Sequence, residues 1–251
     1  MEPISSPQNP KVVAAGRLHR AKHRQSEGKT LLEGPHVVAD CVENGAQLER
    51  IFALASDDAA TLMAASADVP IHSVTEQVLR KLAGTEHPTG PVAVAAVPAP
   101  EPFPVAGPVL VMVGIADPGN VGTLIRSAAA FGFAVCSVGG ADLWSPKVVR
   151  SAAGAHYRSP ICVPPPAITD IAQTTVATVS FGGMATIEFD GSVVLYVGSE
   201  AHGLPDDIVD AVDRRLTIPM AAGTDSLNAA VAGSIAMFMV ANADGTAPSH
   251  H

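Results

Sequence analysis

The side chains best suited to chemistry lie in three segments of the chain. The first is Gly114-Ile-Ala-Asp-Pro-Gly-Asn-Val-Gly-Thr-Leu-Ile-Arg-Ser127. Its Asp117-Pro118-Gly119-Asn120 is turn chemistry, and Gly122 lets backbone approach closely at a helix start. Arg126 falls about two turns into that helix and reaches back only if its neighbours hold it. The second is Val197-Gly-Ser-Glu-Ala-His-Gly-Leu-Pro205, where Gly198 and Gly203 permit tight backbone and Glu200 sets a carboxylate among peptide N–H groups. The bland reading of Glu200 is a helix-start or loop anchor, and His202 reads as a loop histidine, since no second metal-type side chain has suitable spacing. The third is Ile218-Pro-Met-Ala-Ala-Gly-Thr-Asp-Ser-Leu-Asn228, in which Asp225 or Ser226 reads as an ordinary helix N-cap.

Each segment follows a predicted strand, where open α/β sheets place their sites. Strands are expected over Val109 to Val113, Ala134 to Val138, Val176 to Val179, Val193 to Val197 and Arg215 to Ile218, with helices over Val121 to Phe131 and Asn228 to Ala241. Such alternation predicts a mostly parallel sheet with helices on both faces. The closing helix is rich in small residues, which suits close packing against other backbone. The glycines of the first segment do not have the Gly-x-Gly-x-x-Gly spacing of a dinucleotide site.

Upstream, Val97-Pro-Ala-Pro-Glu-Pro-Phe-Pro-Val105 excludes helix and reads as a linker. Before it, strands over Thr30 to Leu32, Arg50 to Ala55, Ile71 to Ser73 and Val92 to Ala96 alternate with helices over Gly34 to Glu43, Asp57 to Ala65 and Thr75 to Leu82. The expected organisation is a smaller α/β domain over 1–96, a linker over 97–105, a larger α/β domain over 106–245 and a disordered tail over 246–251.

With 251 residues, 47% of them hydrophobic and 16% charged, the chain is globular rather than disordered. The opening Met1 to Pro10 lacks an apolar core, and the longest apolar stretch, Ala229 to Ala241, is too short to span a bilayer, so a cytoplasmic protein is expected. Three scattered cysteines indicate neither a disulfide framework nor a metal site. The net charge of −9 is unfavourable for a nucleic-acid partner, but it hides an asymmetry. Lys11, Arg17, Arg20, Lys22, His23, Arg24 and Lys29 crowd the start of the chain and can carry a local positive field, or simply form a solvated helix face.

Taken together, the three segments resemble the SpoU or TrmH branch of the SPOUT methyltransferases. Asn120, Gly122 and Arg126 match the family's Asn-x-Gly-x-x-x-Arg; Gly198, Glu200 and Gly203 match Gly-x-Glu-x-x-Gly; Ile218-Pro219-Met220 followed by Ser226-Leu227-Asn228 matches the third motif, all in the family's order. Ser145 to Arg158 looks like the segment between the first two motifs. The N-terminal half is similar to the family's ribosomal-protein-like RNA-binding extension.

The resemblance implies a trefoil knot in the larger domain, a rare exception to unthreaded chains, and a homodimer formed through that domain. It implies S-adenosylmethionine as cofactor, with Gly198, Glu200, Gly203, Leu204, Ile218, Met220, Ser226 and Leu227 around it and no metal. The implied reaction is methylation of a ribose 2′-hydroxyl, ribosomal RNA being the preferred substrate. Transfer RNA, or a non-catalytic RNA-binding protein of the same fold, are the alternatives. Arg126 is then expected to stabilise the developing alkoxide, because a guanidinium stays protonated. Asn120 would hold the arginine or the ribose, Glu200 would fix Arg126 or Asn120, and Asn228 and Ser226 would complete the pocket. Arg17, Arg20, Lys22 and Arg24, with Arg150 and Arg158, are the expected contacts to RNA phosphate.

Overall fold

Proline at a first helical turn, a polar cap before it and glycine after it recur along this chain, and they set where helices begin and end. Asn9, Asp57, Asp117, Ser145 and Asn228 each accept a backbone N–H at the start of a helix. Gly28, Gly84 and Gly132 close helices in the left-handed conformation. The computed structural model describes residues 2–85, 87–88, 90–186, 192–221, 223 and 226–242. The tail expected to be disordered lies outside them.

The described residues form two compact units, Met1–Ala99 with Asp142–Tyr157, and Pro100–Ala141 with Arg158–His251. In the first, α1 (Pro10–Arg17) and α2 (Ala21–Glu27) lead into β1 (Lys29–Glu33), followed by α3 (Pro35–Glu43), β2 (Leu48–Ala53), α4 (Asp58–Ser66), β3 (Ile71–Ser73), α5 (Glu76–Ala83) and β4 (Val92–Ala96). The sheet order is β1-β4-β2-β3, antiparallel except for β2 with β3. Its faces are apolar on both sides: Leu31, Phe52 and Val92 pack towards α1 and α5 residues such as Leu79, while Leu32, Ile51 and Ala93 pack towards α3 and α4.

The second unit contains β5 (Val109–Val113), α6 (Pro118–Phe131) and β6 (Ala134–Val138). The chain then contributes α7 (Pro146–Ser151) to the first unit. Back in the second unit it forms β7 (Thr174–Thr178), β8 (Val193–Gly198), α8 (Asp206–Ala211), β9 (Arg214–Leu216) and α9 (Ala229–Ala241). The sheet runs β6-β5-β8-β7-β9 and every pair is parallel. Its central strands β5 and β8 are buried along their whole length, which is why they read as unbroken apolar runs.

Three features differ from the expectation. Residues 142–157, read as part of the larger domain, pack with the first unit: Thr30 donates to the Trp144 carbonyl, Tyr157 donates to the Ala96 carbonyl, and Val149 joins the core of Leu32 and Ile51. The proline-rich stretch is not a bare spacer, since the Glu101 N–H donates to Ile161 and the Val163 N–H donates to Glu101, each at 2.8 Å. Asn228, not Ser226, caps the closing helix, accepting from the N–H groups of Ala230 and Val231; Asp225 lies outside the described residues.

Candidate active site

The three motif segments converge at the C-terminal ends of β5, β8 and β9, because a parallel sheet brings those ends to one edge. Two glycines make the convergence possible. A Cβ on Gly198 would stand 2.2 Å from the carbonyl carbon of Gly203, so the Ser199–Gly203 loop folds directly over the end of β8. Backbone bonds in both directions between Ser199 and Gly203, 3.2 and 2.9 Å long, close that loop. A Cβ on Gly233 would stand 2.5 Å from Leu124, so α9 lies close against α6; Ser127 and Ser234 share a hydroxyl hydrogen bond of 2.8 Å across them.

The polar centre is a relay of three side chains. Asn228 spends its carbonyl oxygen on the helix cap, which leaves its Nδ2 to donate to Oδ1 of Asn120 at 3.0 Å. Asn120 in turn donates through Nδ2 to Oε1 of Glu200. The cap therefore fixes the orientation of both amides and aims donors at the carboxylate. Asn120 is itself held by the α6 cap, its N–H donating to Asp117 at 2.8 Å. Arg126 is exposed on α6, and among the described residues no side chain pairs with it. Gly122, one helical turn before it, presents no side chain on the face over which a helical arginine leans back towards the N-terminus.

Beside the relay lies a cleft enclosing about 640 Å³ to its open mouth. Gly198, Glu200, Gly203, Ile218, Met220, Ser226 and Leu227, expected around the cofactor, all line it. Leu204 does not: it is 8% exposed and packs into the core with Val109 and Tyr196, so only its backbone neighbours the loop. Thr178, Val179 and Ser180 also line the cleft, and no motif marks them. They follow β7, and the rule that sites sit beyond strand ends finds them once it is applied to that strand. Among the described residues no group of three or more His, Cys, Asp or Glu side chains is arranged to hold a metal ion, and no helix is long and apolar enough to cross a membrane.

The residues expected to meet RNA fall into two groups. Arg17, Arg20, Lys22 and Arg158 are exposed. Arg24 is not available: at 5% exposure it donates to Asp142 at 2.5 and 3.1 Å and to the Leu18 carbonyl at 2.7 Å, so it holds residue 142 in the first unit. A buried guanidinium held by a carboxylate and a carbonyl is structural. Arg150 is also exposed but is ion-paired with Glu33.

Residues 107–238, just over half of the chain, match the SpoU rRNA Methylase family, and residues 9–93 match the MRM3-like substrate binding domain. An uncharacterized tRNA/rRNA methyltransferase of Synechocystis is 30% identical over 94% of this chain and 92% of its own. The 23S rRNA (guanosine(2553)-2′-O)-methyltransferase of Bacillus subtilis is 29% identical over 95% of this chain and 98% of its own. The AdoMet-bound rRNA methyltransferase from Sinorhizobium meliloti superposes with a TM-score of 0.82 at 25% identity, covering 96% of this chain and 97% of that one. With both halves matched and residues of the second and third motifs lining one cleft, this chain belongs to the SpoU rRNA Methylase family.

Proposed function

We propose that the chain transfers a methyl group from S-adenosylmethionine to a ribose 2′-hydroxyl of ribosomal RNA in the cytoplasm. The observation that carries this reading is the relay from Asn228 through Asn120 to Glu200 at the edge of the cleft, since it joins residues far apart in sequence into one oriented polar site. The lining of the cleft fits the cofactor: Leu216, Ile218 and Leu227 offer apolar walls to a flat purine, and Glu200 sets negative charge beside a cationic sulfur. The relatives named for ribosomal RNA and the AdoMet-bound structure support both halves of the reading.

When bound, the cofactor supplies an electrophilic methyl whose sulfur leaves without needing a proton. The task left to the protein is to orient and activate a hydroxyl that is protonated at neutral pH. Asn120 and Asn228 each keep one side-chain N–H beyond the relay and orient the ribose with it. Arg126 offers positive charge to the oxygen as its proton passes to solvent water, which stabilises the alkoxide without acting as a base. Arg17, Arg20 and Lys22 contact RNA phosphate. A trefoil knot and a homodimer through the second unit belong to the same reading; Val231 at 47% and Phe238 at 54% exposure on α9 supply apolar surface for a partner copy. Sedimentation as a monomer at micromolar concentration would remove the dimer from it.

A mass-spectrometric map of 2′-O-methylation in ribosomal RNA, with and without the protein, tests the whole. One nucleotide gaining methyl only with protein and cofactor is the expected result. Unmodified ribosomal RNA alongside methylated transfer RNA overturns the substrate. No methylation of either overturns the activity.

A further inference from the structure

A second cavity lies wholly within the first unit and contains none of the residues of the methyl-transfer cleft. It encloses about 520 Å³ to its mouth, with Glu33 and Arg150 on one side, Ala83 and Val92 as apolar wall, and His87 and Gly90 nearby. Glu33 ends β1, paired in register with Val92 of β4. Its side chain is only 6% exposed, an uncommon position for a carboxylate. Burial pushes its carboxyl up to about 7 despite the neighbouring guanidinium, so desolvation outweighs the ion pair.

The pairing is incomplete. Arg150 donates through Nη1 to Oε2 of Glu33, and among the described residues no donor meets Oε1. Arg150 is itself 41% exposed and has further N–H groups beyond the one it gives to Glu33. A cavity is thus edged by an acceptor with unused capacity and, beside it, by a planar donor. Because burial disfavours the charged carboxyl, a ligand that brings N–H donors to the cavity side of Glu33 would favour its ionised form and gain from doing so.

The chemical complement is a flat group with two adjacent N–H donors next to a carbonyl acceptor. Guanine has this edge: N1–H and the N2 amine face the carboxylate while O6 accepts from the arginine. Adenine would turn its N1 acceptor towards the carboxylate, and phosphate would be repelled by it. The apolar wall of Ala83 and Val92 suits the face of a ring. RNA loops and bulges present unstacked bases on which such edges are accessible.

We propose that this cavity receives an unstacked guanine of the RNA on which the protein docks, a guanine that is recognised and not chemically altered there. The proposal rests on the reading that the chain acts on RNA. It makes the first unit a reader of one base as well as a carrier of positive charge.

Saturation-transfer NMR on the full chain tests it, with GMP, IMP and AMP as probes and S-adenosylhomocysteine present throughout to occupy the cleft. GMP is expected to bind about tenfold more tightly than AMP, the scale of one good base-edge contact. IMP, which lacks the N2 amine, should fall between them. Glu33→Gln should bring GMP level with AMP. Equal affinity for GMP and AMP in the unaltered protein overturns the proposal, as does a GMP preference that survives Glu33→Gln. Should that variant melt early, Arg150→Gln replaces it, with an expected loss of about tenfold for GMP; an unchanged affinity there counts against the idea equally. None of these measurements involves methyl transfer. A protein that prefers GMP but leaves ribosomal RNA unmodified overturns the proposed substrate and upholds the cavity. One that methylates ribosomal RNA with no base preference overturns the cavity alone.

Discussion

The carboxylate of Glu200 is held in place within the relay, whereas the guanidinium of Arg126 is exposed on α6. Glu200 is held by Asn120, which Asn228 orients, so its position follows from a helix cap. Arg126 is held by no described side chain, so substrate contact is what would order it. Arg126→Ala is therefore expected to cut single-turnover methylation to below a tenth of the unaltered rate, a transition-state loss above ~1.4 kcal/mol. S-adenosylhomocysteine affinity measured by calorimetry should stay nearly the same. A rate above that tenth would remove the arginine from the chemistry. Motif spacing makes Arg126, Asn120 and Glu200 visible in the sequence. The direction of each hydrogen bond is not visible there, because Asp225 and Ser226 are equally good caps by residue type and nothing local fixes the orientation of Asn228.

Helix α9 carries that cap, and its small residues determine how near the cap comes to α6. Gly233 leaves room for Leu124 and Val197, and Ser234 meets Ser127, so the first turn of α9 is brought against the first turn of α6, where Asn120 sits. The two functions of Asn228 can be separated by substitution. Asn228→Ala removes both, costing roughly 1 kcal/mol of cap stability and the bond to Asn120. Asn228→Asp keeps a cap acceptor but cannot donate to Asn120, and it adds a negative charge beside the relay that leads to Glu200. The expected outcome is a lowered melting temperature for the alanine variant only, with methylation impaired in both. Full activity in the aspartate variant would show that the relay does not matter. The small-residue character of the closing helix is plain from its residue types. Its partner is not, since an evenly apolar helix gives no hint of which face meets which neighbour.

Over the whole molecule, the chain leaves the second unit after Ala141 and returns at Arg158, lending residues 142–157 to the first unit. Within that segment the only tryptophan, Trp144, packs against His156 with ring centroids 4.8 Å apart and planes tilted by 43°. Burial holds His156 well below an ordinary histidine, at about 4, although its bond to the Leu143 carbonyl and the charge of Asp142 pull the other way. Because the folded value lies below the unfolded one of 6.5, its contribution to stability is complete above pH 6.5 and is lost as pH falls towards 4. The slope contributed is at most about 1.4 kcal/mol per pH unit. Urea unfolding followed by Trp144 fluorescence should therefore show a steeper loss over that window in the unaltered protein than in His156→Gln. Parallel curves would mean that the histidine does not govern the segment. By itself the sequence determined the strands, most of the helices, the family motifs and seven of the residues lining the cleft, because periodicity, caps and turns are local physics. Only the tertiary structure decided that Arg24 is buried against Asp142, that Leu204 belongs to the core, that Glu33 faces a cavity with Arg150 beside it, and that residues 142–157 cross to the other unit. Those outcomes depend on which distant side chain meets each charge or apolar surface, and solvation by a partner over a hundred residues away leaves no local trace in the chain.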